Sequence, residues 1–259
     1  MSTRDDYPAG VPCWVETLQA DTRAAAAFYE AVMGWRLVGS DDPDEEDAWE
    51  YLVARLHGAD VAGIGTRRDG RPPAWFTHVC VDRVETAAER ARAAGGTVLD
   101  GPLDASPAGR FAVLADPLGA VFCVWEAEIR AGAERINEPG AWAMSALQTP
   151  DPERAAAFYG AVFGWRAEAW GPVHLLRLPG YVGGTGEQPV PRDVVAVMLP
   201  GEAAAWSVDF WIADLEAAIA AAEAAGGRVV VPPHDQPPVF RSAVLADPEG
   251  ATFSLSQKG

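Results

Sequence analysis

The chain has 259 residues, 49% of them hydrophobic, enough for one large or two small domains with substantial cores. Its formal charge of −17 excludes the basic face that nucleic acid or an anionic membrane surface would require. The three cysteines, Cys13, Cys80 and Cys123, have no paired spacing, so reduced thiols are expected rather than a disulfide framework or a structural zinc site. No apolar run reaches the roughly 18 residues of a membrane span. The start, MSTRDDYPAG, lacks a basic region followed by an apolar core. A soluble, cytoplasmic protein is the expectation.

In chain order, CWVETLQ alternates like a strand, and Asp21 is placed to cap a helix running through RAAAAFYEAVM. Gly34 stands where a helix C-terminus favours a left-handed residue. The acidic run DDPDEED, Asp41 to Asp47, reads as a solvated loop. Strands follow at EYLVARLHG and DVAGIGT, with His57 at the turn between them, and then at AWFTHVCV. DRVE, from Asp82, reads as a capping box for a helix over Val84 to Ala94 that ends at Gly95-Gly96. TVLDG, RFAVLAD and AVFCVWE are three more strands. A second series then begins. Pro152 suits a first helical position behind Asp151 in TPDPERAAAFYGAVF, and HLLRLPG and YVGGTG read as strands. AWSVDFWIA precedes a helix over Leu215 to Ala225, then Gly226-Gly227 and RSAVLADPEGA; His234, in PPHDQPP, is expected in a surface loop.

The series is a repeat. FYEAVMGWR, Phe28 to Arg36, returns as FYGAVFGWR, Phe158 to Arg166, and RFAVLADPLGA returns as RSAVLADPEGA. Each half divides again, giving four β-α-β-β-β modules in an α+β chain, with domains expected over residues 8–131 and 138–258. The phrase repeated first reads as packing: Phe28 or Tyr29 would lie against the helix's own sheet, and Trp35 opens the next strand. It reports fold rather than chemistry.

Four such modules, with D…AAAFYEAVMGWR and GRFAVLADPLGA, resemble the vicinal oxygen chelate superfamily, which holds glyoxalase I, extradiol dioxygenases and the fosfomycin and bleomycin resistance proteins. The layout looks most like tandem glyoxalase-like proteins of the type labelled hydroxylases. The resemblance implies cupped sheets, each built from two modules, whose concave faces surround pockets. In metal-using relatives, His, Gln or Glu on the opening strands and a Glu on the closing strand face inward. In the first half those positions fall on Trp14, Phe76 and Cys123; in the second they fall on Ala143 or Met144, on Ser207 and on Ser254. The usual ligand set is absent, so no metal is expected at those positions.

Strand parity turns Glu16 the same way as Trp14 and His78 the same way as Phe76, so both polar groups share one cavity as candidate catalytic residues. In the second half Ser145 or Met144 takes the place of Glu16, and Asp209 that of His78. Asp209 and His174 are a candidate acid–base pair. Trp14, Trp75, Phe76, Trp125, Trp206 and Trp211 supply aromatic walls, and Cys80 and Cys123 small ones. Trp14, Phe76, Cys123, Trp125, His174 and Asp209 are therefore the expected ligand-binding residues. The reading is of a monomer that binds an aromatic or hydrophobic small molecule without an obligatory metal. Two alternatives stand beside it. One is a metal-dependent lyase, dioxygenase or hydroxylase using Glu16 and His78 with a third ligand such as Glu50; the other is a non-enzymatic regulatory or scaffold protein.

Overall fold

The computed structural model describes residues 6–39, 50–68, 70, 72–183, 191–236 and 240–259. The acidic run Asp41–Asp47 lies outside them. The first half runs β1 (Pro12–Gln19), α1 (Thr22–Met33), β2 (Arg36–Val38), β3 (Tyr51–Leu56), β4 (Ala59–Thr66), β5 (Ala74–Cys80), α2 (Val84–Ala93), β6 (Thr97–Asp104), β7 (Gly109–Ala115) and β8 (Val121–Ala127). The second half runs β9 (Trp142–Thr149), α3 (Pro152–Phe163), β10 (Arg166–Trp170), β11 (Val173–Arg177), β12 (Val194–Pro200), β13 (Ala205–Trp211), α4 (Leu215–Ala224), β14 (Arg228–Gln236), β15 (Phe240–Ala246) and β16 (Thr252–Lys258).

The strands form two eight-stranded sheets of identical order, β2-β3-β4-β1-β5-β8-β7-β6 and β10-β11-β12-β9-β13-β16-β15-β14. Consecutive modules therefore share a sheet, a pairing that the sequence leaves open. The α+β class and the tandem, two-sheet layout agree with expectation. Asp21 and Asp151 cap α1 and α3 through the amides of Ala24 and Arg154, and Gly34 and Gly164 end them at φ 70° and 76°.

Two local expectations are corrected. DRVE forms no capping box: Arg83 is the N-cap and makes no side-chain cap bond, while the Val84 amide donates to Glu126 Oε2 at 2.9 Å. A carboxylate from the closing strand does the work of a local cap; in α4 Gln257 Oε1 likewise accepts from the Leu215 amide, beside the local cap that Asp214 supplies. YVGGTG is not the fourth strand of its module; residues 181–183 carry no strand, residues 184–190 lie outside the described part, and the strand is β12. Its run VVAVMLP pairs parallel to β9 as β4 pairs to β1.

The repeated phrases meet each other across the two halves. The Tyr29 hydroxyl donates to Asp247 Oδ2 at 2.9 Å and accepts from Trp75 Nε1 at 3.0 Å. Reciprocally, the Tyr159 hydroxyl donates to Asp116 Oδ2 at 3.2 Å and accepts from Trp206 Nε1 at 2.9 Å. Each Asp holds its own DPxGA turn with its other oxygen, through the amides of Leu118 and Ala120 or of Gly250 and Ala251. Trp35 Nε1 donates to the Gly140 carbonyl at 2.6 Å and Trp165 Nε1 to that of Gly10 at 2.7 Å. The second glycine of each Gly-Gly pair admits a phenylalanine ring from the other half: a Cβ on Gly96 or Gly227 would stand 2.7 Å from Phe158 or Phe28. The FY and GW residues thus form the core between the halves, not only that beneath each helix. Trp75 and Trp206 belong to this seam and line no cup. Among the described residues no helix is long and apolar enough to cross a membrane.

Candidate functional site

Residues on the even-numbered side of β5 point away from the helices, since Trp75 on the other side stacks edge-on with Tyr29 of α1. This second face of each sheet is called its cup below. In the first cup Trp14 pairs with His78, Glu16 with Phe76, and His78 with Cys123, so parity brings all five together with Trp125 as the sequence implies.

Glu16 and His78 meet. Glu16 Oε1 lies 3.0 Å from His78 Nε2, with His78 2% and Glu16 8% exposed, little enough for water to screen the pair only weakly. Glu16 Oε2 accepts from the Tyr51 hydroxyl at 2.7 Å, and that hydroxyl accepts from Trp14 Nε1 at 3.0 Å. Burial raises the carboxyl, but the charge and contact of His78 and the Tyr51 hydrogen bond outweigh it, and Glu16 titrates below its usual range. Burial opposes charge on His78, yet Cys123 and Glu16 together push it up to about 10. Both shifts favour the charged forms of the two groups. The contact is not a hydrogen bond, and among the described residues neither ring nitrogen of His78 has a hydrogen-bond partner. Phe111 and Trp125 flank the imidazole at 6.2 and 6.1 Å between centroids.

Tyr51, Arg130 and Phe111 complete the site and are not among the residues predicted. Tyr51 was legible in part, because EYLVARLHG alternates and sets Tyr51, Val53 and Arg55 opposite the buried Leu52, Ala54 and Leu56. Its landing place was not. The Tyr51 ring lies over Gly63, where a Cβ would stand 2.1 Å from its hydroxyl. Arg130, beyond the last strand of its half, places its guanidinium 5.3 Å from the Trp14 ring centroid and pairs with Asp60 at 3.2 Å.

The second cup is different. Pairing of Asp209 with Met144 and Ser207 with Ala146 makes Ala146, not Ser145 or Met144, the counterpart of Glu16. Ser145 faces the seam and bonds Thr77 at 2.7 Å. Asp209 and His174 do not form a pair: His174 aligns with Met198 and hence with Leu147, which lies on the opposite face of the sheet from Met144 and Asp209. Asp209 instead accepts from Ser256 at 2.7 Å, and Ser256 and Ser242 are 2.7 Å apart. Burial pushes Asp209 up to about 7, only partly offset by Ser256. His234 is exposed as expected, but it lies on β14 opposite Ser242 rather than in a loop.

A catalytic metal needs about three protein donors with an open position. Glu50, the suggested third ligand, is turned to an exposed ion pair with Arg68. Among the described residues no three His, Cys, Asp or Glu side chains come together as a metal site would require. With Trp14 and Phe76 at two of the positions that the resemblance gives to metal ligands, the described residues of the first cup do not fit a divalent metal.

The glyoxalase-like domain family matches this chain twice, over residues 14–125 and 144–256. CFP32 of Mycobacterium tuberculosis, which carries a glyoxylase name, is 36% identical over 265 residues, covering 98% of this chain and 97% of that protein. DnrV of Streptomyces peucetius, named for anthracycline biosynthesis, is 31% identical over 261 residues, covering 96% and 94%. The fold also matches the Mn(II)-bound glyoxalase from Novosphingobium aromaticivorans, with a TM-score of 0.66, 18% identity and coverage of 96% and 82%. The 2,3-dioxygenase LapB from Pseudomonas sp. KL28 matches with a TM-score of 0.63, 14% identity and coverage of 97% and 93%. Two family matches in tandem, full-length relatives above 30% identity and the same paired-module fold establish the chain as a member of the glyoxalase-like family within the vicinal oxygen chelate superfamily.

Proposed function

We propose that the protein binds a hydrophobic, aromatic small molecule in the first cup and orients it by hydrogen bonds to the Glu16–His78 pair. The observation that carries this reading is the buried imidazole of His78, whose two nitrogens make no hydrogen bond among the described residues, 3.0 Å from the Glu16 carboxyl and within aromatic walls. Buried polar groups in folded proteins are nearly always satisfied, so such capacity is where a ligand atom would act. The names of the relatives point the same way, towards small-molecule chemistry in glyoxylase function and anthracycline biosynthesis.

The electrostatics favours binding over proton transfer. An efficient general base or acid titrates near the working pH. The pair drives its members apart, with Glu16 lowered and His78 raised to about 10, so each holds its charged form firmly. Tyr51 has a hydrogen bond to give up, and a ligand hydroxyl could replace it on Glu16 Oε2.

Removing a buried hydrogen-bond partner costs on the order of 1 to 3 kcal/mol, so the double variant Glu16→Ala, His78→Ala should bind a ligand found by thermal-shift screening roughly 5- to 150-fold more weakly. Deleting both partners leaves no orphaned charge to unfold the domain. Undiminished binding would sink the proposal. So would near-stoichiometric iron, zinc, manganese or nickel in protein purified without added metal and lost on Glu16→Ala, which would favour a metal enzyme. All eight strands of each sheet come from one chain, which supports a working monomer; light scattering that finds an inseparable dimer would contradict that.

A further inference from the structure

The pairing register allows the cups to be compared position by position. Cys80, Trp125 and Phe111 form one row across the first sheet; Trp211, Ser256 and Ser242 form the equivalent row in the second. Cys123 is matched by Ser254, Gly109 by Phe240, His78 by Asp209 and Glu16 by Ala146. In the first cup the Trp125 indole lies on Gly109, where a Cβ would meet it at 2.6 Å, and with Phe111 it fills the floor beneath His78. In the second, both floor rings become serines. The aromatic mass sits at the side instead, where Trp211, at the end of the serine row, packs at 5.6 Å and 38° against Phe240 of the next row. The result is a floor of hydroxyls and one carboxyl, with an aromatic wall beside it.

The charge balance is also different. In the first cup the anion Glu16 has its cation, His78, 3.0 Å away. Asp209 has none: one oxygen accepts from Ser256, its other oxygen has no hydrogen bond among the described residues, and no basic side chain offsets its burial. The strands packed on either side offer Met144, Ala146, Ser254 and Ser256, none of them ionisable. His234 and Lys258 share this face by register, opposite Ser242 and Phe240, and both are exposed.

We propose that the second cup is a separate binding site for a protonated amine carried on a hydrophobic frame, with Asp209 as counter-ion, Ser242 and Ser256 as hydroxyl partners and Trp211 and Phe240 as the wall. An ammonium supplies the charge that this cup lacks, and its N–H groups suit a carboxylate and hydroxyls together. Aromatic faces add cation–π attraction and apolar contact.

Calorimetric titration of the full chain at neutral pH with benzylamine, benzyl alcohol and benzoate tests this. Benzylamine should bind saturably, the alcohol and the acid at least about tenfold more weakly, in keeping with a charge-assisted contact. Asp209→Asn should remove that preference, whereas the exposed Glu89→Gln, away from both cups, should leave it. Equal binding of amine and alcohol, undiminished binding to Asp209→Asn, or no saturable binding of benzylamine would each overturn the assignment. Should Asp209→Asn not fold, NMR of the unaltered protein decides. Benzylamine should shift the Trp211 indole resonance, identified by its loss in Trp211→Phe, and leave that of Trp14 in place; the reverse would place the amine in the first cup and refute the proposal.

Discussion

The two cups share strand order and register and differ in how charge is balanced. The first holds a carboxylate and an imidazolium against each other under Tyr51, inside aromatic walls. The second holds one carboxyl among serines, with the carboxylate position of the first cup replaced by Ala146. The comparison teaches that the same lattice of strand positions can be self-neutralised or left one charge short, by a few side chains, while the backbone stays the same.

The sharpest way to break this comparison is to orphan a charge in each cup. His78→Ala alone leaves Glu16 buried and without its cation, which should cost about 3–5 kcal/mol of stability in urea unfolding. Asp209→Asn orphans nothing and should change stability within about 0.5 kcal/mol at neutral pH, or increase it. Similar losses at both sites would show that the cups are not electrostatically different.

Titration should separate them next. His78, raised to about 10, contributes stability that is fully present below its unfolded value near 6.5 and is lost as pH rises through about 10. Glu16, lowered, contributes stability present above about 4.3 and lost as pH falls through its folded value. Asp209 has the opposite sign to Glu16: raised to about 7, it favours the folded state when protonated, so its contribution declines as pH rises from about 4 to 7. Stability profiles against pH should therefore lose their alkaline limb in the Glu16→Ala, His78→Ala double variant and gain a flatter stretch between pH 4 and 7 in Asp209→Asn. An unchanged slope in either variant would refute the corresponding assignment.

Smaller effects sharpen the first cup. Tyr51→Phe removes a donor to Glu16 and an acceptor for Trp14 and should cost about 1 kcal/mol in unfolding experiments. Gly63→Ala should reach a similar loss by pushing the Tyr51 ring off its shelf, and combining the two should add little, because both break the same contact. Full additivity in that cycle would mean that Gly63 acts elsewhere.

Much of this was legible in the sequence. Four modules, the tandem halves and the shared facing of Trp14, Glu16, Phe76, His78, Cys123 and Trp125 follow from period-two alternation, which strand geometry enforces. What parity could not supply was distance across the sheet. Asp209 and His174 seemed partners until the register put them on opposite faces, and the one-residue ambiguity at β9 concealed Ala146 behind Ser145 and Met144. Tyr51 and Arg130 reach the first cup from an outer strand and from beyond the last strand, and their arrival depends on Gly63 and on the Trp14 ring. YVGGTG misled because its glycines imitate those of β4, whereas the actual strand, β12, has valines. The repeated FY and DPxG phrases were visible, but nothing local says that each is complementary to the other half's copy.

That complementarity explains which parts of a duplicated chain stay alike. Tyr29 docks on Asp247 while Tyr159 docks on Asp116, so a change at either tyrosine or either aspartate is felt by a partner in the other copy. The seam behaves like a handshake, in which neither hand can alter its grip alone. Among the described residues the hydrogen bonds of the cup side chains stay within their own half, and there the copies were free to part. A chain cut between its halves would lose this common interior on both sides at once, leaving Phe28, Tyr29, Phe158 and Tyr159, all of them buried in the intact protein, facing water. Two sites with separate chemistry are thus carried on one unit that folds, or fails to fold, as a whole.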